Sequence, residues 1–190
     1  MSRIDDILDF WFEGIDDTTA IDTKAMPFKK WFMQDPVFDE EIRARFEPDL
    51  AKAAAGGYQD WEATAGGRLA LVIVFDQFPR NMYRGRARMY AYDRMALDLT
   101  RRTMGEGMDR AMPLIQRAFL YLPLMHSEDM TIQQLSVELY KGLVEESKNT
   151  AQGNTHYYVY TLRYAQEHHD TIAASGRFPY RDKIRNRVSG

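Results

Sequence analysis

Cysteine is absent from this 190-residue chain, and with it go disulfides, thiolate nucleophiles and thiolate metal sites. That fits a reducing compartment, and the cytoplasm is the expected location. Long apolar runs are also missing: the longest, Leu69 to Phe75, falls far short of the roughly 20 residues a membrane-spanning helix needs. The first residues, Met1-Ser2-Arg3-Ile4-Asp5-Asp6, show no basic leader before an apolar stretch, so neither secretion nor a membrane partner is expected. An excess of positive charge is lacking too: 25 Lys and Arg stand against 28 Asp and Glu, and the formal net charge of -3 gives no global attraction to nucleic acid. One locally basic stretch, Arg80, Arg84, Arg86 and Arg88, reads either as a solvated loop and helix start or as a pocket for an anion.

Several short motifs are lacking as well. There is no glycine-rich phosphate loop and no Gly-x-Ser-x-Gly elbow, so nucleotide hydrolysis and serine esterase chemistry lose their usual support. Without His-Glu-x-x-His, paired Glu-x-x-His or a calcium loop, the only metal site to consider is a dispersed one from His126, Glu128, Asp76 and His168. No cofactor and no tightly held metal are expected.

What the chain does have is apolar residues, 45% of the total, at helical spacing. That suffices for one core, and residues 1–190 are expected to form a single all-α domain of seven to nine helices. Ile4, Ile7, Leu8 and Trp11 recur at helical spacing and Gly14 follows as a stop. Asp35-Pro36 reads as an N-cap with proline at the first helical position, ahead of Val37, Phe38, Ile42 and Phe46. Pro48 is expected to restart the chain as a new helix ending at Gly56-Gly57. Leu69 to Phe78 has the β-branched content of a buried strand, yet every other long segment is helical and no partner strand is visible, so it reads as a buried helix that Pro79 bends or ends at Phe78. Further helices are expected over Arg86 to Met104, from Pro113, from a Ser127 cap with Glu128 and Asp129 in its first turn, and from Asn154 to Ala174 with Gly176 as C-cap. Ile132, Leu135, Leu139 and Leu143 would be the inward stripe of the third, and Asp129, Gln133, Ser136 and Tyr140 an adjacent polar face. Trp11-Phe12 and Trp31-Phe32 read as core anchors. Tyr157, Tyr158, Tyr160 and Tyr164 read as core or groove lining, scattered over several faces.

Three segments are dense in polar residues: Asp76-Gln77-Phe78-Pro79-Arg80-Asn81, His126-Ser127-Glu128-Asp129 and Gly176-Arg177-Phe178-Pro179-Tyr180-Arg181-Asp182. With Phe10-Trp11-Phe12, Trp31-Phe32, Asp93, Phe119 to Leu124 and His168, taken in this order, the chain resembles a bacterial family known only as domain of unknown function 924. The resemblance covers nearly the whole chain and implies a helical fold similar to tetratricopeptide-repeat domains, although no repeat is readable here. It implies no reaction. Two departures lie toward the C-terminus: Tyr180 stands where the family usually has histidine, and Arg185-Asn186 replaces a leucine-glycine before Arg187 and Ser189. Relatives often continue beyond the last residue, so the C-terminal end is expected to be incomplete relative to the family.

Imidazole alone has an unperturbed pKa near neutrality, which makes His126 the candidate general acid or base, with Glu128, Asp129 or Asp76 to orient it. His126 and Glu128 as plain helix caps is the competing reading. Asp76 and Arg80 are four apart and can pair on a helix, as a structural latch or as part of a clamp. Gln77, Asn81, Tyr121, Asp129, Gln133 and His168 are candidate ligand contacts, and Arg80, Arg84, Arg177 and Arg181 offer forked donors to a carboxylate or phosphate. His168 and His169 also read as buried, satisfied histidines, and His156 as surface. Three functions follow: a binding module with a polar pocket for an anionic small molecule or acidic peptide, a hydrolase or lyase using His126, and a structural protein-interaction domain.

Overall fold

The computed structural model describes residues 2–22 and 28–185; Arg187 and Ser189 lie outside them. Among the described residues there is no strand, and nine α-helices have five residues or more. They are α1 (Arg3–Phe12), α2 (Phe28–Phe32), α3 (Pro36–Ala54), α4 (Ala65–Val72), α5 (Phe78–Met82), α6 (Asp93–Gly105), α7 (Leu114–Leu120), α9 (Met130–Thr150) and α10 (Thr155–Ser175). Two single turns, α8 (Leu122–Met125) and α11 (Asp182–Arg185), complete the set. None is long and apolar enough to cross a membrane.

Local chemistry explains most of the boundaries. Asp35 caps α3 by accepting from Val37 and Phe38, with Pro36 in the first turn. Gly176 closes α10 in the left-handed region at φ 66°, a conformation that glycine adopts without a Cβ penalty. The N-terminus of α7 lacks a cap from its own segment. Asp17 supplies one from the N-terminal loop, taking the Leu114 and Ile115 amides at 2.8 and 3.0 Å. Helices α9 and α10, joined by the short turn Gln152–Asn154, form an antiparallel hairpin. The core beside it is aromatic: Trp11 meets Phe78 and Phe119 edge-on at 5.8 Å, and Phe46 stacks on Phe78 at 4.8 Å.

Six expectations need correction. Helix α3 runs straight through Pro48; the proline removes one donor, but Phe46 and Leu50 are buried on either side and Asp49 is tied to Arg3 at 2.6 Å and to Tyr58 at 2.7 Å. Helix α6 starts at Asp93, not Arg86, because Gly85 at φ 75° breaks the chain and Tyr90 turns inward against Arg80 and Arg181. The cap of α9 is Asp129, which accepts from Thr131 and Ile132 at 2.8 and 3.2 Å, while Ser127 accepts only the Asp129 amide. Its buried face carries Gln133, Ser136, Tyr140 and Leu143, so Leu135 is exposed and the face read as polar is the one that packs. Val37 and Phe32, read as core, are 79% and 43% exposed. Phe78 stays helical ahead of Pro79: residues Ile73–Gln77 widen into a π turn in which the Phe78 amide reaches Ile73. A widened turn relieves the clash between a proline ring and the carbonyl four residues earlier.

Two neighbouring glycines in α4 separate backbone freedom from steric need. A Cβ on Gly67 would lie 2.1 Å from the Trp61 carbonyl oxygen, whereas one on Gly66 would meet only Leu8 at 3.7 Å. In denaturant titrations Gly67→Ala is expected to lose about 2 kcal/mol, while Gly66→Ala gains up to about 1 kcal/mol from helix propensity.

Candidate functional site

The π turn lowers Asp76 into the core, where it is 1% exposed. A buried carboxylate must be matched by donors, and three are supplied. Gln77 donates to one oxygen at 2.6 Å, and Arg80 and His126 Nδ1 approach the other at 3.1 and 2.8 Å. Arg80 also donates to the Asp76 main-chain carbonyl at 2.8 Å and to Asp93, the first residue of α6, at 2.9 Å. Asp93 in turn faces Arg181 at 3.5 Å, whose guanidinium stacks over Phe178 and Tyr90 at 4.4 and 4.7 Å. Two carboxylates and two guanidiniums thus alternate beneath His126.

Electrostatics then decide protonation. Burial alone would raise the Asp76 carboxyl, but the Arg80 charge and the His126 contact outweigh it and hold it down at about 2. His126 moves the other way for an imidazole beside a carboxylate: burial, and next the Arg80 charge, lower it to about 4 against the pull of Asp76. At neutral pH the ring is uncharged. Since a carboxylate only accepts, the ring hydrogen sits on Nδ1 and Nε2 keeps its lone pair. No described residue partners Nε2.

His126 closes α8, and its ring forms part of two walls. On one side is a cavity of about 150 Å³, walled by Phe32, Phe119, Leu122, Met125, Tyr140, Tyr157, Tyr160, Tyr164 and His168. On the other is an open polar cleft with Asp93, Arg94, Ser127, Glu128 and Arg181. The cavity wall is built by one stripe of α10, Tyr157, Tyr160, Thr161, Tyr164 and His168, spaced three and four apart. Tyr158 alone of the four tyrosines turns elsewhere, toward Asp17. His168 is half-buried, not enclosed; its Nδ1 lies 2.8 Å from the Tyr164 carbonyl, and burial lowers its pKa.

The other sequence candidates divide. Gln133 bridges the Met125 and Ser127 carbonyls and so holds the loop bearing His126 in place. Glu128 does not orient the imidazole; it accepts the Phe178 amide at 3.0 Å, and Asp76 is the orienting group. Asp129 is a helix cap. Arg177 pairs with Asp182 at 2.9 Å, and Arg84 and Asn81 bind Asp39 in a separate groove. Tyr121 points to Asp109 at 2.7 Å. Sequence reasoning read Tyr157, Tyr160 and Tyr164 as core or groove lining but scattered them over several faces, and it missed Thr161, although the spacing of all four from His168 was readable. Among the described residues no three His, Asp or Glu side chains stand together as a metal site.

The fold is thus that of an all-helical protein with a carboxylate-held histidine between an aromatic cavity and a polar cleft. Over residues 7–190 the chain matches the family described as "Bacterial protein of unknown function (DUF924)", and it belongs to that family. It is also similar to the solved structure of ATU0120, a protein of unknown function from Agrobacterium tumefaciens: 34% identity over 98% of this chain and 92% of that one, with a TM-score of 0.78. No curated protein matches the chain.

The lowered His126 has a measurable consequence for folding. Its unfolded value is 6.5 and its folded value about 4, so between these the unfolded chain binds the extra proton and stability falls as pH falls. Wild type should lose stability across this window with up to about 1.4 kcal/mol per pH unit from this residue, His168 adding a smaller share in the same direction. His126→Asn should be less stable at neutral pH and show a shallower slope in this window. An unchanged slope in the variant would contradict a neutral, partly buried His126. The slope is read above about pH 5, where Asp76, with an unfolded value of 3.8, is ionised in both states and does not confuse the reading.

Proposed function

We propose that this protein is a hydrolase in which His126 acts as general base on a small, mostly apolar molecule held in the aromatic cavity. One observation carries the reading: His126 spends Nδ1 on Asp76 at 2.8 Å and has an unpartnered Nε2, in a ring that fronts both an apolar cavity and a polar cleft. A base needs a lone pair, an orienting acceptor behind it, and access to both reactants. The cavity offers the substrate a place and the cleft offers water one. In the step proposed, water gives a proton to Nε2 as its oxygen bonds to an electrophilic carbonyl carbon. When the tetrahedral adduct collapses, the bond to the leaving group breaks and that group takes the proton from His126. Asp76 does not touch the substrate; it positions the ring and sets its tautomer.

A clamp for an anionic ligand has less support. Arg80, Arg84, Arg177 and Arg181 each already face a carboxylate, so an incoming anion would meet charges already neutralised, although Arg80 Nη2 and Arg181 Nε are left without a partner among the described residues.

The test is a panel of small uncharged esters, lactones and cyclic amides, followed with wild type, His126→Asn and Asp76→Asn. Wild type should hydrolyse at least one, with a rate that rises as pH passes through about 4 and stays flat through neutrality. His126→Asn should lower kcat by about 10²–10⁴. A rate that His126→Asn leaves untouched would sink the proposal. No hydrolysis by wild type, with the variants losing only stability, would leave the Asp76 network as a latch in a structural or binding domain.

A further inference from the structure

The cavity has more chemistry than the general base uses. His126 and His168 have ring centroids 6.3 Å apart, and each spends Nδ1 on a group that can only accept: the Asp76 carboxylate and the Tyr164 main-chain carbonyl. Both neutral rings must therefore carry hydrogen on Nδ1 and present a lone pair at Nε2. Neither Nε2 has a partner among the described residues.

Tyr157 supplies the opposite polarity. It is 1% exposed and forms part of the cavity wall, and no described residue takes its hydroxyl hydrogen. Of the neighbouring phenols, Tyr140 donates to the Ala118 carbonyl at 2.7 Å and Tyr160 to the Tyr164 hydroxyl at 2.9 Å, while Tyr164 is 37% exposed and can give its own hydrogen to solvent. Burial raises the Tyr157 pKa, so the group stays a donor at any physiological pH. A donor on a residue with so little surface left to water gains from an acceptor placed before it.

Size and charge narrow what that can be. A cavity of about 150 Å³ is of the order that accommodates one benzene molecule, so the ligand has a single six-membered ring. A carboxylate would meet two imidazole lone pairs, and the guanidiniums nearby are paired: Arg80 with Asp76 and Asp93, and Arg163, stacked on Tyr160 and Tyr164 at 5.2 and 5.7 Å, with Glu167 at 3.4 Å. A cation would suit the lone pairs and the aromatic wall, but it would leave the Tyr157 hydroxyl unanswered. A neutral ring with an acceptor oxygen and an adjacent N–H answers the Tyr157 hydroxyl and the His168 lone pair, and leaves His126 Nε2 to water.

We propose that Tyr157 and His168 are the specificity-determining pair of this cavity, Tyr157 donating to a carbonyl oxygen and His168 accepting from the N–H beside it, and that the substrate class is the neutral six-membered cyclic amide. This rests on the cavity being the substrate site of the hydrolase reading. In that reaction Tyr157 would also face the oxygen on which negative charge develops.

Binding can be measured without turnover. Dissociation constants would be taken by NMR titration for 2-piperidone, cyclohexanone, benzene, benzoate and piperidinium, with wild type, Tyr157→Phe and His168→Phe. Wild type should rank 2-piperidone first, cyclohexanone second and the other three behind. Tyr157→Phe should weaken 2-piperidone and cyclohexanone about tenfold each and leave benzene unchanged. His168→Phe should weaken 2-piperidone alone. Benzene, benzoate or piperidinium binding as tightly as 2-piperidone to wild type overturns the proposal, and so does a Tyr157→Phe variant that still prefers ketone to hydrocarbon. The wild-type ranking decides even if a variant fails to fold. The two readings fail separately: the expected ranking with no His126-dependent hydrolysis sinks only the general base, and His126-dependent hydrolysis without the ranking sinks only the cyclic-amide assignment.

Discussion

A carboxylate with almost none of its surface in water must be met by donors, and in this protein meeting that requirement at Asp76 joins segments far apart in the chain. Arg80 comes from the next turn, His126 from the end of α8, and Asp93 and Arg181 extend the network to the start of α6 and the turn after α10. Taking a buried ion pair apart leaves one charge stranded, which costs several kcal/mol. The π turn belongs to the same arrangement, since it accommodates Pro79 and seats Asp76 where Arg80 and His126 both reach it. Tyr90, drawn in against two guanidiniums, helps to explain why α6 starts as late as Asp93.

The network also sets the character of His126. An imidazolium there would be a third positive group beside Arg80 and Arg181, on a ring largely withdrawn from water, so the ring is neutral and its lone pair faces away from the carboxylate. The arginines that look on paper like anion receptors are occupied in neutralising Asp76, Asp93, Asp39 and Asp182. What remains accessible beside His126 is aromatic and thioether surface interrupted by a few hydrogen-bonding atoms, an environment suited to a small uncharged ring.

The helical class, the single apolar core and the dense polar segments were legible in the sequence because they depend on local rules: apolar spacing, the Asp35-Pro36 start, the Gly176 stop. The pairing of Asp76 with Arg80 was legible for the same reason, four residues being one helical turn. Local rules misled where two of them competed. Pro48 and Pro79 were both read as interruptions, yet burial on either side carried α3 through one and a π turn absorbed the other. Ser127 and Asp129 are both good caps, and only the course of the loop, pinned by Gln133, selected the second.

Sequence by itself determined the inventory: an all-helical chain without thiols, a histidine and an aspartate in two polar clusters, and tyrosines at helical spacing near the C-terminal end. Only the tertiary structure decided that Asp76, not Glu128, holds His126, that the arginines are spent on carboxylates, and that Tyr157, Tyr160 and Tyr164 form one wall with His168. The physical reason is distance along the chain. Caps, turns and amphipathic stripes are set by groups a few residues apart, whereas the protonation of a side chain and the shape of a cavity are set by groups distant along the chain that meet only when the core closes.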